Sequence, residues 1–252
     1  MSSKSRRRRV DGILLLDKPL GLSSNLALQN VKHLYNADKA GHTGSLDPLA
    51  TGLLPICLGE ATKLSAYLLD ADKRYQARVR LGQRTSTGDA EGEVVATSDP
   101  GSLGREQLEA AIARFLGDID QVPPMYSALK RDGQPLYALA RAGIEVERQA
   151  RPVHIRELRV LDFDGLHFDF EVACSKGTYV RTLAEDWAAA VGQQAHLVAL
   201  RRTALAPFDA AAMVGLEQLR QTAAGAARDG LLLPPEAALR GWPHVQVEDD
   251  LA

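Results

Sequence analysis

Short apolar runs alternate with amphipathic stretches along the whole chain. Gly12 to Asp17 (GILLLD) reads as a buried strand, and Tyr75 to Leu81 (YQARVRL) alternates apolar and polar residues as a half-buried strand does. Glu106 to Leu116 instead places its apolar residues on one helical stripe. Because strands and helices interleave without a strict βαβ rhythm, we expect an α/β (α+β) fold with a mixed, largely antiparallel sheet and flanking helices.

The same patterns predict further elements. The expected strands are Leu53–Leu58, His154–Phe163, His167–Ala173 and Leu197–Leu205, and the middle two are expected to form a hairpin. The expected helices are Asn25–Tyr35, Glu60–Leu69, Leu136–Ala142, Gly177–Val191 and Leu216–Ala227. Ser23 or Ser24 is a suitable cap for the first of these helices, because a hydroxyl there can accept from a free amide of the first turn.

The composition is that of an ordinary globular protein. The 252 residues are 45% hydrophobic and 25% charged, which is enough for a substantial core. The apolar runs are far too short to cross a bilayer, and the N-terminus (MSSKSRRRRV) lacks the apolar region of a secretory signal. Cys57 and Cys174 are the two cysteines, too few for a disulfide framework or a cysteine-rich zinc site. We therefore expect a cytoplasmic protein with no membrane partner.

Basic residues are clustered although the net charge is only −2. Residues 1–10 form a basic arm that contains Arg6 to Arg9. The second cluster comprises Lys130, Arg131, Arg141, Arg148, Arg151, Arg156 and Arg159. Each cluster alone is as readily a solvated surface, but two clusters in a near-neutral chain favour a polyanionic partner.

Residues 121–150 interrupt the pattern of the flanking elements. Pro123, Pro124, Gly133 and Gly143 surround one short helical segment. Such a stretch is typical of an insertion that lies over the main body rather than within its core.

The segment GHTGSLDPLATG (residues 41–52) places one carboxylate, Asp47, in a glycine-rich loop. The loop matches neither the phosphate-binding nor the dinucleotide-binding glycine pattern, and His42 has no companions at metal-ligand spacing. Asp47 can equally cap a backbone amide of a tight turn or act as a nucleophile on a rigid loop. A free aspartate is ionised near neutrality, since its pKa is about 3.9.

Six blocks of this sequence, in order, resemble the bacterial TruB family of tRNA pseudouridine synthases. They are LLLDKPLGLSSN, GHTGSLDPLATGLLPICLGEATK, DKRYQARVRLGQRTSTGDAEGE, PPMYSALKRDGQPLYALARAG, CSKGTYVRTLAEDW and HLVALRRT. The resemblance spans roughly residues 11–214. It implies the pseudouridine synthase fold, with a catalytic domain over residues 11–230 and a thumb insertion at about residues 121–150.

The resemblance implies that Asp47 is the catalytic nucleophile in the isomerisation of uridine 55 in the T arm of tRNA. The base must leave the stack and rejoin the sugar through C5. Attack at C1′, attack at C6 and a glycal route all remain open. No metal or other cofactor is implied.

The remaining site residues follow from the same matching. Tyr75 is expected to stack on the flipped uracil, and its hydroxyl can take part in proton transfer. Arg181 is expected to hold the nucleophile, with the two-bond fork that a guanidinium can offer a carboxylate. Tyr179 and Leu200 are expected to line the pocket, although a core role suits Leu200 equally well. His42 is expected to fill the space that the extruded base leaves.

Lys18 and Pro19 match a block that supports the active-site loop, and the basic thumb residues are expected to contact phosphates. Residues 231–252 fall where a C-terminal RNA-binding PUA domain begins in the family, so the resemblance implies a curtailed or absent module; Ala206 replaces a frequent glycine. A monomer without an obligatory protein partner is expected. Two alternatives are a tRNA-folding chaperone with secondary catalysis and a relative that depends on a guide RNA.

Overall fold

The computed structural model describes residues 7–101, 103–243 and 245, so the first six residues of the basic arm and residues 244 and 246–252 of the tail lie outside the described residues. The strands are β1 Gly12–Lys18, β2 Ala40–His42, β3 Ala50–Leu58, β4 Lys73–Leu81, β5 Gln83–Thr85, β6 Val94–Thr97, β7 Gly117–Gln121, β8 Lys130–Arg131, β9 Gln134–Pro135, β10 Arg151–Phe163, β11 His167–Cys174, β12 Ala195–Leu205, β13 Phe208–Asp209 and β14 Val214–Gly215. The α-helices are α1 Ser24–Leu34, α2 Ser65–Asp70, α3 Arg105–Ala111, α4 Leu136–Arg141, α5 Val180–Ala190, α6 Leu216–Gln221 and α7 Ala226–Asp229.

A large sheet in the order β14-β1-β3-β12-β4-β11-β10-β7 forms the body of the molecule. The short strands β2 and β13 pair with β3 and β12. The β1–β14 and β3–β12 pairs are parallel and the other pairs of this sheet are antiparallel, which confirms the mixed, largely antiparallel sheet. The expected β10–β11 hairpin is also confirmed, with Val172 opposite Leu158.

The main core lies between the sheet and helices α1, α3 and α5. Trp187 of α5 is fully buried there, packs edge-on against Phe168 and Phe170 of β11, and donates from its indole nitrogen to the carbonyl of Leu108 at 3.0 Å. An aromatic cluster of this kind buries a large apolar area while keeping its one polar group paired. It holds α5 against the sheet.

A second, smaller core covers the other face of β1 and β3. Ile13 and Leu53 lie in it together with Ala237 and Ala238 from the part of the tail that the structure describes. The amide and carbonyl of Leu233 also exchange hydrogen bonds with Ile13, at 2.8 and 2.9 Å. Residues 231–240 therefore pack on the sheet itself.

The predicted helix Leu216–Ala227 is wrong in one respect, because the structure has two helices, α6 and α7. Thr222 is extended, with φ −71° and ψ 128°, and Gly225 adopts φ +86°, which interrupts the helix. The strands β6 and β7 were not predicted. The expected insertion begins at Gln121, which the structure shows as the last residue of β7, paired with Arg151.

Two predicted helices are partly 3-10 helix. The segment Glu60–Leu69 begins as the 3-10 helix Gly59–Leu64 and continues as α2. Thr62 and Ser65 each donate from their hydroxyls to the carbonyl three residues earlier, at 2.7 Å, which favours the tighter turn. The segment Glu106–Leu116 is α-helical only to Ala111 and then forms a short 3-10 turn.

Candidate active site

The loop between β2 and β3 carries Asp47. The two strands pair antiparallel, so residues 43–49 form a closed turn. The amide of Ala50 donates to the carbonyl of Asp47 at 3.0 Å, and Gly44 adopts φ +78°, where a side chain would strain the backbone. The turn fixes the backbone of Asp47, while its side chain keeps 45% of its surface exposed.

Ser24 fastens this loop to α1. Its hydroxyl accepts from the amide of Leu46 at 2.7 Å and donates to the carbonyl of the same residue at 2.9 Å. The neighbouring Ser23 is the N-cap of α1 and accepts from the amide of Leu26, as one of the two predicted caps. The residue preceding Asp47 is thus held on both its backbone groups.

Lys18 supports the loop from below, as the sequence indicated. Its buried ammonium donates to the carbonyls of Pro19 and Leu22, at 2.9 and 2.6 Å, and lies 3.5 Å from the carbonyl of Pro48. Burial lowers the pKa of Lys18 to about 8, and the carboxylate of Asp47 opposes that shift. Lys18 is therefore a cation close to the candidate nucleophile.

The guanidinium of Arg181 is the ion-pair partner of Asp47. Arg181 lies in the first turn of α5, and its side chain is only 6% exposed. One nitrogen lies 3.0 Å from Asp47 and donates to the carbonyl of Tyr126 at 2.7 Å. The other donates to the carbonyl of Thr87 at 2.7 Å and lies 3.6 Å from Asp89. The predicted two-bond fork is wrong, because a single nitrogen contacts Asp47 and backbone carbonyls orient the rest.

Opposing effects act on the carboxyl of Asp47. Burial raises its pKa above the ordinary value; Arg181 lowers it, Asp89 raises it and Lys18 lowers it. The net direction is upward.

A cavity of about 290 Å³ opens beside Asp47 and contains four of the five predicted binding residues: Tyr75, Tyr179, Arg181 and Leu200. Tyr75 and Leu200 reach it from the neighbouring strands β4 and β12. Burial raises the pKa of both phenols, so Tyr75 and Tyr179 are neutral at neutral pH. The side chain of Gln121 holds the backbone of Tyr179 through two hydrogen bonds, of 2.8 and 3.1 Å.

A second cavity, of about 500 Å³, shares Asp47 and Arg181 with the first and is also lined by His42, the fifth predicted residue. Tyr137 and Arg141 of the insertion also line it. The Nδ1 atom of His42 is buried without a hydrogen-bond partner among the described residues, and burial lowers the pKa of the ring. His42 is thus a neutral ring that lines a different cavity from Tyr75, with Asp47 common to both cavities.

Two buried cations of the first cavity, Lys73 and Arg202, were missed as site residues. Lys73 donates to the carbonyls of Leu69 and Ala71, and burial lowers its pKa to about 8. Both lie within blocks that carry the family resemblance, but a period-two pattern places charged strand residues outside by default. Their burial therefore has no signal in hydrophobic periodicity.

Over the described ranges, no group of three His, Cys, Asp or Glu side chains is placed to hold a metal ion. None of the helices described here combines the length and apolar character needed to span a membrane.

Two solved structures align with most of this chain. A protein in "Crystal Structure of a Cbf5-Nop10-Gar1 Complex" aligns with a TM-score of 0.71 and 28% identity over 90% of this chain, and this chain spans 61% of that one. A second, in "Structure of H/ACA RNP bound to a substrate RNA containing 2'-deoxyuridine", gives a TM-score of 0.68 and 26% identity over 90% of this chain and 60% of that one.

Comparison with sequences is more specific. The family model for the N-terminal domain of TruB family pseudouridylate synthases matches residues 32–180, and that for the tRNA pseudouridylate synthase B C-terminal domain matches residues 181–240. A "tRNA pseudouridine synthase B" of Azoarcus sp. is 59% identical over 98% of this chain and 82% of its own length. One of Pseudomonas putida is 56% identical over 99% of this chain and 82% of its own length. The chain belongs to the TruB family of pseudouridylate synthases.

Proposed function

We propose that this chain isomerises uridine 55 in the T arm of tRNA to pseudouridine, with Asp47 as the nucleophile. The observation that carries the proposal is the Asp47–Arg181 ion pair of 3.0 Å at the edge of a cavity that also holds Tyr75. Relatives at 56–59% identity that are named tRNA pseudouridine synthase B support the choice of tRNA.

Each of the two cavities that Asp47 lines has a separate role in the proposed reaction. The target base leaves the stack and enters the cavity of about 290 Å³, where Tyr75 offers a ring to stack on and Leu200 an apolar wall. His42, a neutral ring in the other cavity, fills the place that the base has left. The loop thus separates the extruded base from the remaining RNA stack.

Asp47 attacks while Arg181 fixes its orientation. The guanidinium cannot turn, because two backbone carbonyls hold it at 2.7 Å. Attack at C1′ breaks the link between the base and the sugar, whereas attack at C6 adds the carboxylate across the C5–C6 double bond; a glycal route would use the same carboxylate as a base. In each case the base then joins the sugar through C5 and loses the C5 proton.

The insertion supplies contacts to the RNA backbone. Lys130, Arg131, Arg148 and Arg151 line a cavity of about 340 Å³ in it, and Arg141 faces the cavity of His42. Phosphate contacts from such residues give binding that depends on salt. We propose that residues 121–150 act as a thumb on the T arm, and that the chain works as a monomer without a protein partner.

Two rival functions are separated by one assay. The solved relatives of 26–28% identity come from complexes with other components, as their titles state, so a guide-dependent enzyme is the first rival. A tRNA-folding chaperone with secondary catalysis is the second. The test is tritium release from a 5-tritiated T-arm stem-loop with this chain alone.

Conversion of the bare stem-loop supports the proposal, and conversion only after a guide RNA and protein partners are added refutes it. The Asp47→Asn variant is the internal control for the chemistry. If that variant refolds tRNA normally and wild-type turnover is negligible, the chaperone is the better description.

A further inference from the structure

Arg202 is a buried cation without a matching acid. It lies on β12 and is 1% exposed, and across the described part of the chain it forms no ion pair with a carboxylate. Its Nε donates to the carbonyl of Leu53 at 2.6 Å and one terminal nitrogen donates to the carbonyl of Gly44 at 3.0 Å. Because an unpaired buried charge costs folding free energy, its position indicates a use beyond packing.

Tyr75 lies directly opposite Arg202 in the antiparallel β4–β12 pair, and both side chains reach the cavity beside Asp47. The guanidinium of Arg202 acts on the hydroxyl of Tyr75 and lowers the pKa of that phenol. Because a guanidinium can only donate, a hydrogen bond between the two side chains would leave the proton of Tyr75 for a group inside the cavity.

The charges around Tyr75 single out Arg202. Burial raises the pKa of the phenol, and the groups that face it are Arg202 from β12, Cys174 from β11 and Asp47 from the loop. Cys174 and Asp47 raise the pKa further, whereas Arg202 lowers it. Lys73, which lies on β4 with Tyr75, also lines the cavity, but it donates to carbonyls at the end of α2.

We propose that Arg202 is the positioning residue for Tyr75: it fixes the hydroxyl of Tyr75 and stabilises the oxygen anion that forms when this hydroxyl gives up its proton. The inference rests on the proposed isomerisation. It deepens that proposal by assigning the proton transfers to one residue pair.

The proton balance of the isomerisation suits such a pair. Uridine carries a hydrogen on C5 and none on N1, and pseudouridine carries one on N1 and none on C5. As the N1–C1′ bond breaks, its electron pair stays on N1, which takes the proton of Tyr75. In the C1′ route the electron pair of the C5–C6 double bond then forms the C5–C1′ bond, and the C1′–oxygen bond to Asp47 breaks and frees the carboxylate. The phenolate takes the C5 proton, and the C5–H electron pair restores the C5–C6 double bond. One proton leaves Tyr75 and one returns, so no co-reactant is needed.

The first test compares single-turnover rates and stem-loop affinity for wild type, Arg202→Met and Arg202→Lys. We expect Arg202→Met to lower the rate about 100-fold, as loss of a donor to a developing anion does, with affinity changed less than about threefold. Arg201→Met is the matched control, since the neighbouring Arg201 pairs with Asp17 at 2.8 and 3.0 Å. It should turn over nearly as wild type does.

The second test replaces Tyr75 with a fluorinated tyrosine of lower pKa. In the Arg202→Met background it should recover about tenfold of the lost rate, and in wild type it should change the rate little. If Arg202→Met does not fold by circular dichroism, the same replacement is made with Arg202→Lys.

An equal effect of fluorination in both backgrounds, or an unchanged rate in the Arg202 variants, overturns the proposal. Failure of the wild-type chain to convert the stem-loop would instead refute the proposed function.

Discussion

The contacts around Asp47 allow its carboxylate to be replaced without loss of the fold. Its backbone is fixed by the turn and by Ser24 through Leu46, not by its own carboxylate. Asp47→Asn should therefore keep the fold and most of the stem-loop affinity, while detectable turnover disappears because an amide is no nucleophile. Tritium release and a binding titration on the same preparation measure both. Turnover near the wild-type rate would remove Asp47 from its proposed role.

Arg181→Lys should lose about 100-fold in rate although it preserves the charge. An ammonium on a flexible stem cannot contact Asp47 and the carbonyls of Thr87 and Tyr126 in the planar arrangement that Arg181 uses. Single-turnover kinetics measure the loss, and a thermal melt checks folding. Normal kinetics in the lysine variant would show that the orientation of the guanidinium is unimportant.

The sequence predicted which residues gather at Asp47 better than it predicted how they touch. The family resemblance selected Tyr75, Arg181, Tyr179 and Leu200, and these four line one cavity. Their roles stay predictions. The contacts of Arg181 with two backbone carbonyls, and the burial of Arg202, depend on chain segments far apart in sequence, so no local pattern could indicate them.

Among the elements, β3 depends most on one glycine. Gly52 adopts φ +96°, and a Cβ atom there would lie 2.3 Å from the carbonyl oxygen of Arg202 on β12. Gly52→Ala should cost more than about 4 kcal/mol or prevent folding, because the backbone of the neighbouring strand β12 leaves no room for the added methyl group. Gly21→Ala is the matched control, with φ +80° but open space around it, and should cost about 1–2 kcal/mol. Urea unfolding measures the difference, and equal costs would contradict this account.

Helix α5 carries an acid, Glu185, whose charged form the fold disfavours. Burial raises the pKa of Glu185 from 4.5 to about 7, and its carboxylate lies against Gly88. Between pH 4.5 and 7 the folded state binds more protons than the unfolded state, so the free energy of unfolding falls as pH rises through that window.

Glu185→Gln should remove the share of this slope that Glu185 contributes and be more stable than wild type by about 2 kcal/mol above pH 7, with no difference below pH 4.5. Urea unfolding at pH 4.5, 6 and 8 is the measurement. A variant that follows the wild-type pH dependence would show that another group is responsible.

Element boundaries were harder to predict than element types. The strands β1, β4, β10, β11 and β12 were expected within three residues of their observed ends, because apolar alternation marks them. The break between α6 and α7 was missed because the Leu216–Ala227 pattern continues through Gly225, and a positive φ leaves no trace in hydrophobicity. The strand β7 is short and polar, and the sheet recruits it only through β10.

At the scale of the whole molecule, the positions of the basic side chains predict how the affinity for RNA depends on salt. Lys130 is exposed in the insertion, whereas Arg78 lies on another strand and pairs with Asp164 and Asp169 at 3.1 and 3.4 Å. Lys130→Ala should reduce the slope of log affinity against log salt by about 0.9, one phosphate contact on a duplex stem. Arg78→Ala should leave the slope unchanged. The same change in both variants would mean that the insertion makes no local contact with the RNA.

The strand β12 lies between β3 and β4 in the large sheet, although both of those strands come much earlier in the sequence.

This placement has a consequence for how the chain is made. Until residue 205 has left the ribosome, β1 can pair with β3, and β4 can pair with β11 and β10, but no strand pairing within the described residues joins these two groups. Strand β12, which is synthesised after all of these strands, then enters between the two groups, parallel to β3 and antiparallel to β4. Because Tyr75, Arg181 and Asp47 belong to segments that this one strand brings together, the nascent chain has no assembled site until β12 is in place.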